Sequence, residues 1–391
     1  MKSIRQSFTV TFEYDVHFTE GLFSEENNIL KEVIEKDGAT GRRKFLILID
    51  DGVHLNHPQL KKNIKSYFKK NKNFIDLRGE PIIIQGGEQA KNQPQLVEDL
   101  LIAINARGIC RHSYLMAIGG GALLDLAGYV ASIAHRGIRH IRIPTTVLSQ
   151  NDSGIGVKNG INAFNKKNFL GAFDPPFSVI NDFEFLKTLE DRDWRSGISE
   201  AIKVALIKDK AFFKFIQKNA DLLNDRDMEV MKELIYHCAD MHLKHIAGKD
   251  PFETGSSRPL DFGHWGAHKL EQLTSFELRH GEAVAIGIAL DSTYSHFSGR
   301  LSKQELDEII DLIIKLGFEL FVPELLHKKL EDDQYEILNG LNEFREHLGG
   351  RLTIMLLNSI GEGIEVHEMD HDLIIKSINY LEEKEKLKLT Y

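Results

Sequence analysis

His264 and His268 stand four residues apart in LDFGHWGAHKLEQL, so on a helix both imidazoles project from one face. A third histidine, His280, opens the helical pattern HGEAVAIGIAL. Glu200 lies in GISEAIKVAL beside Lys203, on a helical face that is otherwise apolar, where an unpaired carboxylate is expensive to bury. A glutamate and two histidines, with one position open to water or substrate, form the donor set of a catalytic zinc ion. The separations match no short zinc motif, and three unrelated polar residues on helices satisfy them as well. The two cysteines, Cys110 and Cys238, are too few for a cysteine zinc site or a disulfide framework and fit a reducing compartment. Any metal must therefore use histidines and carboxylates.

Two other stretches have residues suited to binding anions. YLMAIGGGALLDLAGYVASIAHRG places three glycines between a strand and an amphipathic helix. Such a turn lets the backbone approach a pyrophosphate, with free N–H groups and a positive dipole end at the helix N-terminus. The pattern is GGG-x-x-x-D rather than G-x-G-x-x-G, and a tight turn accounts for it equally. Asp50, closing an earlier strand, suits either the ribose of a dinucleotide or a helix cap. In NDSGIGVKNGINAFNKKNFLGAFDPP, Asp152, Lys158, Lys167 and Asn168 occupy a polar stretch too long for a simple turn. Lysines there can hold a phosphate as point charges, or belong to a solvated surface loop.

The elements that must position these residues follow from periodicity. Between Phe45 and Asp182, the apolar runs FLILIDDG, PIIIQGG, SYLMAIGGG, HIRIPTT and FSVIND alternate with helical patterns, the signature of βαβ units and a parallel sheet covered on both faces. Ligands bind at the carboxyl ends of such strands. After Asp182 the period becomes helical, with only LTIMLLNSIGEGIEV strand-like. The expected architecture is an α/β domain over residues 1–182 and a mostly α-helical domain over residues 183–391. The N-terminal MKSIRQSFTVTFEYDVHFTEG reads as a strand, and LEEKEKLKL as a charged helix near the C-terminus. A chain of 391 residues, 42% hydrophobic and 27% charged, has room for two domains with full cores. Its 58 acidic against 49 basic residues argue against binding duplex nucleic acid. No apolar run approaches the roughly 20 residues of a membrane span, so the expected location is cytoplasmic.

Together the motifs resemble the dehydroquinate-synthase-like sugar phosphate cyclases, over about Phe45 to Gly361. Members of that family carry GGG-x-x-x-D-x-x-G, PTT, a loop with Asp and two lysines, E-x-x-K, GH-x-x-x-H and HGEAVAIG in this order. The resemblance implies an α/β NAD-binding domain and a helical metal-binding domain. It implies NAD contacts from Asp50, Glu88, Lys91, Gly120, Gly121, Asp125, Thr145, Thr146, Phe185, Thr188 and Leu189, and zinc or cobalt held by Glu200, His264 and His280. Substrate contacts fall to Asp152, Lys158, Lys167, Asn168, Lys203, Lys244, Arg258 and His268. Arg136 matches an arginine that reaches the phosphate in the neighbouring subunit, which implies a homodimer. The implied reaction is a lyase reaction on a phosphorylated seven-carbon sugar: transient oxidation by NAD, loss of phosphate, re-reduction and intramolecular aldol closure.

The chain departs from the dehydroquinate synthases at Asp261, where those enzymes typically have Asn, and in GIGVKNG and AFDPP around the two lysines. VHFTEGLFSEEN is more similar to the cyclases acting on sedoheptulose 7-phosphate. Among these the 2-epi-5-epi-valiolone type typically replaces the second histidine of GH-x-x-x-H by proline, whereas His268 is present here, which points to the 2-epi-valiolone branch or a related one. Asp261 would repel the carboxylate of the heptulosonate phosphate that dehydroquinate synthase uses, although Lys244 and Arg258 match the cations that hold it. The metal-dependent alcohol and glycerol dehydrogenases resemble the same architecture, but a simple alcohol needs no lysine-rich phosphate loop. A descendant that only binds ligands is the remaining alternative.

Overall fold

The computed structural model describes residues 3–38, 41–164, 166–248, 251–252, 260–328, 334–347 and 350–388. The chain forms two compact units, one from residues 1–149 and 154–188, the other from 150–153 and 189–391. The break thus follows Thr188, and the short segment carrying Asp152 belongs to the second unit.

Strands of the first unit, in chain order, are β1 (Asp15–Thr19), β2 (Arg43–Asp50), β3 (Ile75–Leu77), β4 (Ile82–Ile84), β5 (Tyr114–Gly119), β6 (Arg139–Pro144), β7 (Lys158–Ala163), β8 (Lys166–Phe173) and β9 (Ser178–Asp182). All but β7 and β8 join one parallel sheet in the order β1-β9-β6-β5-β2-β3, with β4 also paired to β2. The helices α1 (Ile29–Glu35), α2 (Asp51–Asn56), α3 (Leu60–Lys70), α4 (Pro94–Ala106) and α5 (Gly121–Ile133) connect them. Alternation along β2 explains its unbroken apolar run. Phe45, Ile47 and Ile49 pack with Leu30 and Ile34 of α1 and Ile64 and Phe68 of α3. Leu46 and Leu48 face the other way, against Val97 and Leu100 of α4 and Leu123 and Leu126 of α5. Each such side chain contributes about 1.5–3 kcal/mol of burial, which favours helices on both faces of the sheet.

Two expectations need correction. The N-terminal segment is a strand only over Asp15–Thr19, where it pairs with β9; residues 3–14 form no regular element despite their alternating pattern, and Ile4 and Phe8 are exposed. The polar stretch read as a long loop contains an antiparallel ribbon, β7 against β8, with Gly160 opposite Gly171. Glycine is required there because a Cβ on Gly171 would lie 2.6 Å from the carbonyl oxygen of Asn159.

In the second unit the helices are α6 (Asp191–Lys208), α7 (Lys210–Lys218), α8 (Ala220–Asn224), α9 (Met228–Ile246), α10 (His264–Leu273), α11 (His280–Phe297), α12 (Lys303–Lys315), α13 (Asn339–His347) and α14 (His371–Lys388). The hairpin β10 (Ile354–Ser359) and β11 (Glu362–Val366) accounts for the strand-like LTIMLLNSIGEGIEV. Helix α11 is buried on nearly every side along Ala283–Ser295, as expected of a central helix without a polar stripe. Helices α6, α10, α12 and α14 pack against it. Among the described residues no helix is long and apolar enough to cross a membrane.

Candidate active site

The second unit brings Glu200, His264 and His280 together. Glu200 projects from α6 and is fully buried, while His264 and His280 are the first residues of α10 and α11. From Glu200 Oε1 it is 3.7 Å to His264 Nε2 and 3.5 Å to His280 Nε2. Donors about 2.0–2.1 Å from a tetrahedral cation are roughly 3.3 Å apart, so the three groups stand close to a ligand arrangement. Neither oxygen of Glu200 receives a hydrogen bond of good geometry. A carboxylate this buried, with an ammonium on one oxygen and two imidazole nitrogens near the other, fits a divalent cation.

Both imidazoles are oriented from behind. His264 Nδ1–H donates to the Phe262 carbonyl at 3.1 Å, and His280 Nδ1–H to Glu271 Oε2 at 3.2 Å, which leaves each Nε2 lone pair facing Glu200. Glu271 was not anticipated from the sequence, yet it lies seven residues after His264 and three after His268, on the same helical face. The His268 ring stacks on His280, with centroids 5.9 Å apart.

The electrostatics suit a metal site. Burial alone pushes the Glu200 carboxyl up, but Lys203 and His280 outweigh it and hold the group down at about 2. Burial pushes His264 well below the ordinary histidine value, reinforced by Lys203, so its imidazole is neutral and able to ligate. Burial likewise disfavours the Lys203 ammonium, but Glu200 and Asp152 raise it above the ordinary value. Asp152 Oδ1 lies 2.9 Å from His242 Nδ1 on α9. Burial and Glu200 push the Asp152 carboxyl up, while Lys203 and His242 bring it below the usual range.

Lys244 does not join this cluster. Its side chain is 73% exposed and pairs with Asp240 at 2.6 Å. Two residues along a helix is a turn of about 200°, so when His242 faces Asp152, Lys244 faces away. Asp261 is half-buried and acts electrostatically on Lys203, and its carbonyl accepts the His264 N–H at 3.0 Å. Arg258 lies outside the described residues.

Close backbone contact sets the approach of α10 and α11. A Cβ on Gly287 would lie 2.0 Å from the Gly263 carbonyl oxygen, in the turn that presents His264. Gly287→Ala is therefore expected to force the turn off α11 and to cost about 1–3 kcal/mol of stability. Urea unfolding measures this; a variant as stable as the parent would show that the turn yields freely.

In the first unit, Asp50, Gly120, Gly121, Thr145 and Thr146 gather at or just beyond the carboxyl ends of the adjacent strands β2, β5 and β6. Gly120 caps α5 without any side-chain hydrogen bond, so the first N–H groups of this 13-residue helix face the glycine turn unclaimed by a cap. That fits the phosphates of a dinucleotide. The Asp50 side chain accepts from the N–H groups of Gly52 at 2.9 Å and Val53 at 3.3 Å, so its capping role is realised. Lys91 is buried, pairs with Asp125 at 2.9 Å and Glu88 at 3.7 Å, and touches Asn168. Thr188 Oγ1 is 2.8 Å from His57 Nε2, and Phe185 meets the same imidazole edge-on. Lys158 is exposed, Lys167 partly so, and Arg136 is exposed at a turn with φ of 62°. Leu189 opens the second unit, half-buried just before α6.

The sequence reading missed Arg142. It is fully buried on β6 and donates to the carbonyls of Gly154 at 3.1 Å, Gly156 at 2.7 Å and Lys158 at 3.1 Å, and to Asn159 Oδ1 at 2.6 Å. It thereby fixes the backbone that carries Lys158. An apolar strand pattern with one inward arginine was its only sequence signal.

The 3-dehydroquinate synthase N-terminal family matches residues 81–196, and the 3-dehydroquinate synthase C-terminal family residues 197–336. The 3-dehydroquinate synthase of Dictyoglomus thermophilum is 32% identical over 343 residues, covering 83% of this chain and 94% of that protein. A solved structure of 2-epi-5-epi-valiolone synthase from Streptomyces hygroscopicus, with NAD+ and Zn2+ bound, is similar with a TM-score of 0.84 and 28% identity, over 97% of this chain and 100% of that one. A 2-deoxy-scyllo-inosose synthase complexed with carbaglucose-6-phosphate, NAD+ and Co2+ shares the fold, with a TM-score of 0.75 and 22% identity over 93% of this chain and 96% of that one.

Proposed function

This chain belongs to the 3-dehydroquinate synthase family of sugar phosphate cyclases, lyase-type enzymes acting on phosphorylated sugars, and we propose that its substrate is sedoheptulose 7-phosphate, cyclised as by a 2-epi-valiolone synthase. Inorganic phosphate leaves and a carbocycle closes, with no net oxidation.

The first unit holds NAD through the glycine turn, Asp50, Thr145, Thr146, the Glu88–Lys91–Asp125 cluster, and Phe185 and Thr188. Bound NAD supplies a reversible hydride acceptor for one sugar hydroxyl. Glu200, His264 and His280 hold zinc or cobalt, and the bound cation supplies a Lewis acid for the sugar oxygens. Lys158, Lys167 and Asn168 neutralise and orient the substrate phosphate, helped by Arg136 of a second copy in a homodimer. Lys203 keeps its proton beside Glu200 and Asp152 and donates to a substrate oxygen, while His268 sits one helical turn beyond His264 to place the leaving phosphate. The expected location is the cytoplasm.

The observation that carries the substrate choice is the half-buried carboxylate of Asp261, coupled to Lys203, together with the commitment of Lys244 to Asp240. A carboxylated sugar would meet an anion and find one matching cation already paired. The second reading, 3-dehydroquinate synthase itself, is favoured by the D. thermophilum relative, 94% of whose length is matched.

Purified protein with substoichiometric NAD and zinc or cobalt, given each of the two phosphates in turn, tests both. Sedoheptulose 7-phosphate is expected to release more phosphate, with cyclised product far exceeding NAD and no NADH absorbance accumulating. NADH rising mole for mole with product would mean a dehydrogenase, and phosphate from neither sugar would sink both cyclase readings.

A further inference from the structure

Asp291 lies in the middle of α11, fully buried, and the proposed chemistry makes no use of it. Its two oxygens are divided between the residues flanking His264: Oδ2 accepts the Gly263 N–H at 3.0 Å, and Oδ1 accepts the Trp265 indole N–H at 2.8 Å. Among the described residues no cation pairs with it, and burial raises its carboxyl to about 7 against the pull of these two donors. A group buried at such cost is explained by geometry. Only a carboxylate presents two acceptor oxygens in that spacing; an asparagine in the same place must turn its NH2 toward one of the donors.

The same helix grips the turn a second way, through the contact of Gly287 with the Gly263 backbone, and itself begins at His280. One rigid element therefore carries one imidazole and clamps the turn that presents the other. The ring centroids of His264 and His280 are 5.5 Å apart as a result.

We propose that Asp291 is a positioning residue for the metal centre, holding the Gly263–Trp265 turn so that His264 Nε2 meets Glu200 and His280 at ligand spacing. This rests on the reading of Glu200, His264 and His280 as a metal site. The donor–acceptor pair of Trp265 and Asp291 makes a test possible, because removing the indole N–H leaves an asparagine at 291 free to offer its oxygen to Gly263.

Co2+ alone, titrated into the metal-free full chain, reads both the site and the positioning. The parent is expected to bind one Co2+ with visible d–d bands; if it binds none, the metal reading and this proposal fall together. Asp291→Asn, folded by circular dichroism, is expected to bind Co2+ about 10–100-fold more weakly, by chelator competition, with shifted bands. The double variant Asp291→Asn/Trp265→Phe should bind more tightly than Asp291→Asn alone, whereas a general loss of stability would leave it no better. A parent that binds, beside an Asp291→Asn protein of equal affinity and unchanged bands, overturns the proposal while sparing the metal site, and so does a double variant that shows no recovery. Trp265→Phe alone, which keeps the Gly263 bond, is the milder variant should Asp291→Asn not fold; a smaller band shift is expected, and its absence counts against the proposal.

Discussion

His264→Ala is expected to abolish stoichiometric zinc and to lower turnover by about a thousandfold or more, as loss of a Lewis acid worth several kcal/mol requires at about 1.4 kcal/mol per decade. The substitution removes one of three donors and leaves Glu200 and His280, too few to hold a zinc ion in a site that keeps a position for substrate. The fold should survive. Apart from the imidazole's own bond to the Phe262 carbonyl, the turn before α10 is held by Gly263 and Trp265 on Asp291 and by the Gly263–Gly287 contact, which the substitution leaves in place. Metal analysis of the purified variant, beside circular dichroism, checks both parts, and full zinc occupancy in a folded His264→Ala protein would refute the ligand assignment.

Asp261→Asn should move substrate preference toward the carboxylated heptulosonate phosphate. Two anions about 4 Å apart at an effective dielectric near 20 repel by about 4 kcal/mol, and relief of even part of that is a tenfold or larger change in the ratio of kcat/KM values. Lys203 screens some of the repulsion, since Asp261 acts on it directly. Steady-state kinetics with both sugars, on parent and variant, read the ratio. A parent that already prefers the carboxylated sugar, or a variant that moves the other way, removes Asp261 as the selector and puts the 3-dehydroquinate synthase reading ahead.

Much of this site could be read along single elements. The helical spacing of His264 and His268 set them on one face, and Glu271 sat on the same face in plain view at three residues further. Unbroken apolar runs ending in Gly, Pro or Thr marked β2, β5 and β6, whose carboxyl ends gather Asp50, Gly120 and Thr145. The polar stretch around Lys158 carries no strand signal in the sequence, because the pairing of β7 with β8 depends on backbone approach at Gly160 and Gly171, and glycine has no hydropathy signature.

Elsewhere the deciding quantity was the phase of one helix against another. In HCADMHLKHI the residues His242 and Lys244 are equally plausible partners for Asp152; only the rotation of α9 about its axis turns His242 inward and leaves Lys244 on the surface with Asp240. Asp291 is 28 residues from Gly263, and Arg142 reaches carbonyls 12 to 16 residues on. Which residues share a face of a helix or an end of a strand is legible along the chain alone, because the 3.6-residue and two-residue periods are local properties of the backbone. Which faces meet, and so which carboxylate orients which imidazole, was decided only by tertiary packing, since it depends on close contacts such as Gly263 on Gly287 between segments far apart in the chain.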